Sequence, residues 1–578
     1  MGLGILNDTK LQHVPGTATV FDDESRLREE NAVHDPNLKY DSTGTIILIP
    51  QPSNDPNDPL NWPLWRRDLI LLTLSLLSVI ASTLSPLLAA DTLSLSLYFG
   101  RTFTDVALLT GYHLLGVGVA GFLFVPSARI WGKRHLYLLG TVVLVFSSAW
   151  GGASNKNYKS LLWARIFQGI GLAPFEALVN ASVGDLYHVH QRGKRMALSN
   201  LALFGGAFFT PVLVGKIADT MSWQWTFYFV AIFSGALLPV VVFFVPETAF
   251  RRDAVFNTDT ATTNTPSPRL APENRIELET SPNSAVESTR DSQQDMTRAM
   301  QKEMSVEHAD DTAPPPEKAS WAKSLLPFNG RKSDDRYLNL LLRPFTLFFH
   351  PGIFWACLIQ GTLIGWTVMI GIVLAAIMLG PPLFFGEVET GYMYTGAFVG
   401  ALLGFVLAGL ISDWSASYLT RLNRGIYEPE FRLILVIPQL IFGCAGLYGF
   451  GIVSNNIGKY KWFWPDFFFA LEVMGMVLGA VASALYIVDA HREISVEAFT
   501  CLLVFKNIFS FGLTWSSYDW LVQTGVKPVF MAVASVQVVV CLLSVPMYIF
   551  GKKNRSFVAR HNVFFKISDK VADWLTFW

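Results

Sequence analysis

Runs of about twenty apolar residues recur along this chain, each roughly long enough for a helix to cross a bilayer, and short polar or basic connections separate them. Twelve such spans fall at about 68–90, 106–127, 136–153, 159–184, 195–217 and 224–245, then at about 353–378, 391–412, 432–454, 464–489, 497–519 and 528–550. The pattern predicts an all-α membrane protein with twelve transmembrane helices in two six-helix halves, 67–250 and 346–551. Outside the spans the composition changes. Residues 1–66 are polar and end in QPSNDPNDPLNWPLWRRD, whose prolines block helix propagation until the first span, so they read as a disordered cytosolic tail. Residues 251–345, with stretches such as TDTATTNTPSPRLAPENR and HADDTAPPPEK, are too polar to bury a core and read as a mostly disordered cytosolic linker. Residues 552–578 form a cytosolic C-terminal tail.

Basic residues orient the spans, because cytosolic loops retain positive charge during insertion. Arg66 and Arg67 precede span 1, Lys133 and Arg134 join spans 2 and 3, and Arg192, Lys194 and Arg195 join spans 4 and 5. The second half repeats the arrangement with Arg421, Arg424 and Arg432 after span 8, Arg492 after span 10, and Lys552, Lys553 and Arg555 after span 12. Both termini and the linker are therefore expected in the cytosol. The other loops hold fewer basic residues, among them Arg101, Lys156, Lys459 and Lys461. No Asn-x-Ser/Thr sequon falls in an outer loop, since Asn7 and Asn554 are cytosolic and Asn180 is within a span, so no N-glycan is expected.

Charge and composition narrow the function. Only 15% of the 578 residues are charged, too few for a soluble protein of this size, and a net charge of -1 offers nothing to nucleic acid. Cys357, Cys444, Cys501 and Cys541 all lie in apolar spans without ligand spacing and read as inert thiols. No metal or cofactor is expected, and the chain has no nucleotide loop or nucleophile motif of an enzyme. The N-terminus lacks the basic and apolar regions of a secretory signal, leaving targeting to the first span.

Polar side chains inside the spans are the candidate chemistry, because a charge in hydrocarbon costs about 2.5–3.5 kcal/mol on insertion scales and therefore faces the bundle interior. Span 4, LLWARIFQGIGLAPFEALVNASVGDLY, carries Arg165, Gln168, Glu176 and Asn180. Arg165 and Glu176 return to within about 20° of each other at helical spacing, which predicts one polar stripe. That stripe suits either solute and proton coupling at Glu176 or an internal clamp that fixes helix packing. In the second half Gln360, Glu472, Tyr486 and Asn507 are the polar side chains expected to reach a cavity, with Trp366 and Trp515 as stacking candidates and His113 as a packed polar residue.

Several motifs carry a resemblance. The loop VPSARIWGKRHLYLLG resembles the major facilitator superfamily signature in Arg129, Gly132, Lys133 and Arg134, with Ala128 where that family has aspartate. GLISDWSASYLTRLNRG matches the same element in Gly409 and Asp413, as an internal repeat would. Arg165 and Gly169 match the family's fourth-helix motif. FGGAFFTPVLVGK resembles the antiporter motif in Gly206, Pro211 and Gly215, while Thr210 and Val214 replace two of its glycines. Pro246-Glu247-Thr248 closes span 6 as in many drug and sugar carriers. Longer phrases, among them LLTGYHLLG, DLYHVHQRGKR and LRPFTLFFHPGIFW, are similar to the fungal branch of drug:proton antiporters that includes polyamine, toxin and multidrug carriers. The resemblance implies a monomeric secondary transporter that works by alternating access between protons and a small organic solute. It implies efflux of a toxin, secondary metabolite or drug across the plasma membrane, with a vacuolar or other internal membrane as the alternative compartment. Two other readings stand beside it: proton-coupled uptake of a polyamine or related cation, and a non-transporting nutrient sensor.

Overall fold

Local chemistry sets where the apolar runs become helix and where they stop. The computed structural model describes residues 3–7, 10–11, 14–19, 39, 48, 51–252, 318–424, 426–491, 494–561, 564, 566–568 and 570–571. In the first half the long helices are α1 (Leu64–Thr83), α2 (Phe103–Trp131), α3 (Arg134–Gly152), α4 (Tyr158–Leu186), α5 (Val189–Thr220) and α6 (Trp223–Phe244). In the second they are α7 (Pro351–Leu379), α8 (Thr395–Leu422), α9 (Val436–Asn455), α10 (Phe463–Ala490), α11 (Ser495–Thr524) and α12 (Val526–Leu542, continued by Ser544–His561). A capping box starts α2: Thr102 Oγ1 accepts from Asp105 N at 3.1 Å, and Asp105 Oδ2 accepts from Thr102 N at 3.2 Å. Asn157 caps α4 and His350 caps α7, its Nδ1 accepting from Gly352 and Ile353.

Among the described residues eleven helices are long and apolar enough to cross a membrane, and they correspond to spans 2 to 12. The remaining span is α1, whose twenty residues carry Arg66, Arg67 and Asp68 near the start. It starts and ends earlier than the 68–90 expected from hydropathy. Ser85 and Pro86 follow its end, and the chain turns there before a short helix, Thr92–Phe99, that leads toward α2. At the other extreme α12 runs on to His561, so the first ten residues of the expected C-terminal tail are helical.

Each half has its own apolar core. One is built around Leu74, Leu144, Val183 and Phe227, and the second half contributes two, around Met369, Phe450 and Phe530 and around Ile359, Leu478 and Ile487. The halves meet along two seams, α2 against α11 and α5 against α8. On the first seam Phe103 stacks on Tyr518 and Thr104 donates to Asp519 at 3.1 Å. On the second, Phe204 meets Phe405 and Phe209 meets Phe398.

The loops after α2, α4 and α8, together with both termini, gather at one end, called here the basic end. Described parts of the expected disordered segments are packed against it. Asp58 is fully buried and receives Ser53 N, Ser53 Oγ, Leu60 N and the Arg252 guanidinium. Ala18–Thr19 pairs with Ile426–Tyr427 as a two-stranded antiparallel ribbon, and Arg555 donates to the carbonyl of Pro15. Residues 330–347 lie across α2, with Lys332 N donating to Ile130 and Tyr337 Oη to Leu123. These contacts replace the disordered reading at those positions, because each described stretch finds hydrogen-bond partners on the helical bundle or its loops. The rest of 1–50, residues 253–317, Arg492 and most of 562–578 lie outside the described residues.

Candidate functional site: a central cavity between the two halves

A cavity of about 170 Å³ lies where the two halves face each other. Its wall is mostly apolar and aromatic, with Phe204 and Phe208 from α5, Phe469 from α10 and Tyr394 before α8. Hydroxyl and amide groups punctuate it: Ser82 and Ser85 at the end of α1, Thr110 of α2, Thr367 of α7, and Asn507 and Ser510 of α11. Among the described residues the charged side chains lining it are Glu176 of α4 and Lys506 of α11. They form an ion pair across the boundary between the halves, with side-chain exposures of 12% and 10%.

Proline placement helps to shape this wall. Pro174 lies inside α4 two residues before Glu176, and Pro211 lies inside α5 beyond Phe204 and Phe208. Each removes one i to i−4 hydrogen bond and allows its helix to bend where it borders the cavity.

The polar stripe predicted along α4 is divided among several neighbours. Arg165 is fully buried and turns away from the cavity, donating to the carbonyls of Leu109, Leu84 and Ser85 and to Gln168 Oε1 at 3.0 Å. Gln168 donates onward to the Ser147 carbonyl of α3. Arg165 and Gln168 thus fasten α4 to α2, α3 and the turn after α1, and the cavity wall at Ser85 rests on this clamp. His113 joins it, with its ring nitrogens at 3.2 Å from Ser85 Oγ and 3.3 Å from the Arg165 carbonyl. Asn180 bonds Asn200 and Ser199 of α5. Of the four, Glu176 alone lines the cavity.

In the second half Asn507 also lines it, its Nδ2 donating to Leu503 within α11. Glu472 sits behind the wall. It is fully buried on α10 and reached through Thr367, whose Oγ1 lies 2.8 Å and 3.1 Å from its two oxygens. Gln360 accepts from Ser483 between α7 and α10. Trp366 donates to Gln537, Tyr486 is buried near the basic end, and Trp515 is 58% exposed on the outer surface of the bundle.

The signature residues build the basic end. Gly132 adopts φ +92°, and a Cβ there would lie 2.3 Å from the Glu247 carboxylate. That carboxylate accepts from Lys133 N at 2.9 Å and Arg134 N at 3.0 Å, so the Pro-Glu-Thr triplet after α6 anchors the loop after α2. Lys133 pairs with Asp185 at 2.5 Å, and Arg134 donates to the carbonyls of Val242, Val245 and Leu325. Arg129 reaches the other half, where it pairs with Glu497 of α11 and, at 3.6 Å, with Asp335. With Ala128 in place of the signature aspartate, the acids that pair with Arg129 come from other segments, Asp335 and Glu497. In the second half Gly409 and Asp413 are exposed on α8, and the ion pair there is Arg432 with Asp489 at 3.0 Å. Gly206 packs on Val79 and Ser82 of α1, and Gly215 packs on the Glu387 carbonyl.

Lys506, which lines the cavity, and Asp335, which organises the basic end, are residues that the sequence reading passed over. Lys506 had a visible signal: a lone lysine in CLLVFKNIFSF is as costly in an apolar span as Glu176.

Comparison with known proteins follows from this architecture. The family model for the Major Facilitator Superfamily matches residues 70–495. Protein HOL1 of Saccharomyces cerevisiae is 26% identical over 95% of this chain and 96% of its own length. The MFS transporter cpaT of Aspergillus oryzae is 24% identical over 87% of this chain and 90% of its own. Among solved structures a D-xylose-proton symporter superposes with a TM-score of 0.54 at 16% identity, covering 84% of this chain and 99% of that one, a likeness of fold.

Proposed function

The chain belongs to the major facilitator superfamily, as a multi-pass membrane transporter of small solutes and not an enzyme, and on that premise we propose that it exports a small organic molecule in exchange for protons. The observation that carries this reading is the Glu176–Lys506 pair in an otherwise apolar and aromatic cavity. Such a wall suits a solute with an apolar body, and a carboxylate within it can alternate between a proton and a solute group. Arg165 supports the site from behind by holding Leu84 and Ser85 in place. The basic end faces the cytosol, in keeping with the positive loops, and the membrane is the plasma membrane.

A second reading, uptake of a polyamine or related cation, is favoured by one detail. The group resting on Glu176 is itself an alkylammonium, so a protonated amine of a solute fits the same carboxylate.

Both readings are tested with membrane vesicles of either orientation, using rhodamine 6G and spermidine as probes. Accumulation in everted vesicles that collapses with the pH gradient supports export, whereas accumulation of spermidine only in right-side-out vesicles supports uptake. Glu176→Gln is expected to remove the pH dependence at normal abundance. Full pH-dependent transport in that variant would sink the coupling role.

A further inference from the structure

We propose that Lys506 is a lock on the empty carrier: a tethered ammonium that occupies Glu176 when neither proton nor solute is bound and so prevents the two halves from reorienting unloaded. The proposal rests on the reading of Glu176 as the coupling carboxylate, and it adds a residue and a rule of coupling to it.

The placement of the pair is the starting point. Glu176 is the nineteenth residue of the 29 in α4, which runs toward the basic end, and Lys506 is the twelfth of the 30 in α11, which runs away from it. Both therefore lie on the basic-end side of the cavity, as part of its floor. They belong to different halves, so opening the cavity toward the basic end draws α4 and α11 apart at this level. Separating the two charges leaves each without its partner in a largely apolar enclosure, which is strongly unfavourable.

Among the described residues of the neighbouring helices no other charge is placed to take over either role. On α11 the next polar groups are Asn507, whose amide is spent on Leu503, and Ser510, whose hydroxyl has no partner among the described residues. On α2 the titratable groups are Asp105 in its capping box, Tyr112 with its ring against Phe511, His113 in the Arg165 clamp, and Arg129 paired with Glu497. On α4 itself Arg165 points away and Asp185 holds Lys133. On α5 Arg195 holds Asp68, while Lys216 pairs with Asp219 near the opposite end. On α10 Glu472 is held by Thr367, Asp489 by Arg432, and Asp466 by the Gly396 amide. Helix α7 has no acidic or basic side chain between Pro351 and Leu379.

Two events release the pair. A proton on Glu176 removes the charge that Lys506 binds, and a cationic group of a solute competes with the lysine ammonium for the carboxylate. Either loaded form is then free to reorient and the empty form is not, which is the condition for exchange without leak.

The test needs no knowledge of the natural solute. Purified protein is reconstituted in liposomes containing a pH-sensitive dye, a pH gradient is imposed with no solute present, and proton entry is followed. The wild type is expected to be tight. Lys506→Gln should admit protons about tenfold faster, equivalent to about 1.4 kcal/mol off the barrier to empty reorientation. Lys506→Arg, which restores a cation, should return the membrane to tightness, and Lys506→Met should leak as Lys506→Gln does. Adding Glu176→Gln to Lys506→Gln should abolish the leak. If both neutral Lys506 variants still move rhodamine 6G or spermidine yet stay as tight as the wild type, the lock is overturned while Glu176 coupling stands. If the leak persists in the double variant, the proton is not carried on Glu176, and the reading on which the lock rests fails instead.

Discussion

Single buried side chains account for several measurable properties. Arg165 donates to three backbone carbonyls and a glutamine, a geometry that the rigid fork of a guanidinium can satisfy and an ammonium cannot. Arg165→Lys is therefore expected to lower stability by about 2–4 kcal/mol, because buried carbonyls lose their donors, and a reduced melting temperature of the purified protein would show it. At the basic end the imidazoles of His350 and His491 meet edge to face at 4.5 Å. Burial pulls His350 down to about 4, and it pulls His491 well below the usual histidine range, with the nearby His350 and Arg555 adding to the effect. The folded protein thus keeps both rings neutral while the unfolded chain takes up protons below about 6.5, so their contribution is fully present above that pH and declines as pH falls toward 4. The melting temperature should drop between pH 7 and pH 5. His350→Asn keeps a capping acceptor for α7 and should flatten that slope; an unchanged slope would contradict the assignment. Asp58 behaves in the ordinary carboxylate sense. Burial alone would raise it, but the Arg252 guanidinium and the amides of Leu60 and Ser53 outweigh that and hold it below the usual range, so its contribution persists above about pH 4 and is lost only in stronger acid. The sequence offered an internal clamp along the Arg165 stripe but not its carbonyl partners, and the Asp58 and His350–His491 environments were not legible, since they join residues far apart in the chain, Asp58 to Arg252 being a case in point.

Helix crossings depend on small residues at particular positions. Where α2 crosses α4, a Cβ on Gly169 would lie 2.1 Å from the His113 carbonyl oxygen, and one on Gly116 would lie 2.5 Å from that of Ile166. Two backbones meet there, so no side-chain rearrangement can make room. Gly169→Leu is expected to force α4 away from α2, disturb the Arg165 clamp and abolish transport, with loss of a monodisperse peak on size-exclusion chromatography as the check. The family motif marked Gly169 but not its partner, because small-residue spacing alone does not say which helix approaches. Hydropathy located the elements well and their ends less well: α1 stops at Thr83, where Ser85 and Pro86 follow, and the apolar residues after it wall the cavity instead of continuing a helix.

Across the whole molecule, ion pairs between the halves hold the basic end together. Glu497 of α11 receives Arg129 of α2, and Arg343 lies 3.6 Å away, while Asp335 sits between the same two arginines at 3.6 Å and 3.7 Å. Glu497→Gln removes the central charge and should shift the population toward a form open at that end. Spin labels at Trp131→Cys and Val496→Cys, both exposed positions near the ends of α2 and α11, should report a longer distance in that variant. An unchanged distance distribution would assign the cluster to packing alone. The four native cysteines are buried, which favours selective labelling. The membrane class, the twelve-span pattern, the two-half architecture and the family are readable from the chain alone, because these follow from the hydrophobicity of contiguous segments and from motifs read along it. The sequence also singled out Glu176, since any charge in an apolar span must answer to something. The partners come from the packing of the helices: Arg165 turns to the carbonyls behind the wall, Glu472 lies behind Thr367, and Glu176 meets Lys506 from the other half. Periodicity fixes which residues share a face of one helix, but the charge that a face meets is set by how separate helices pack.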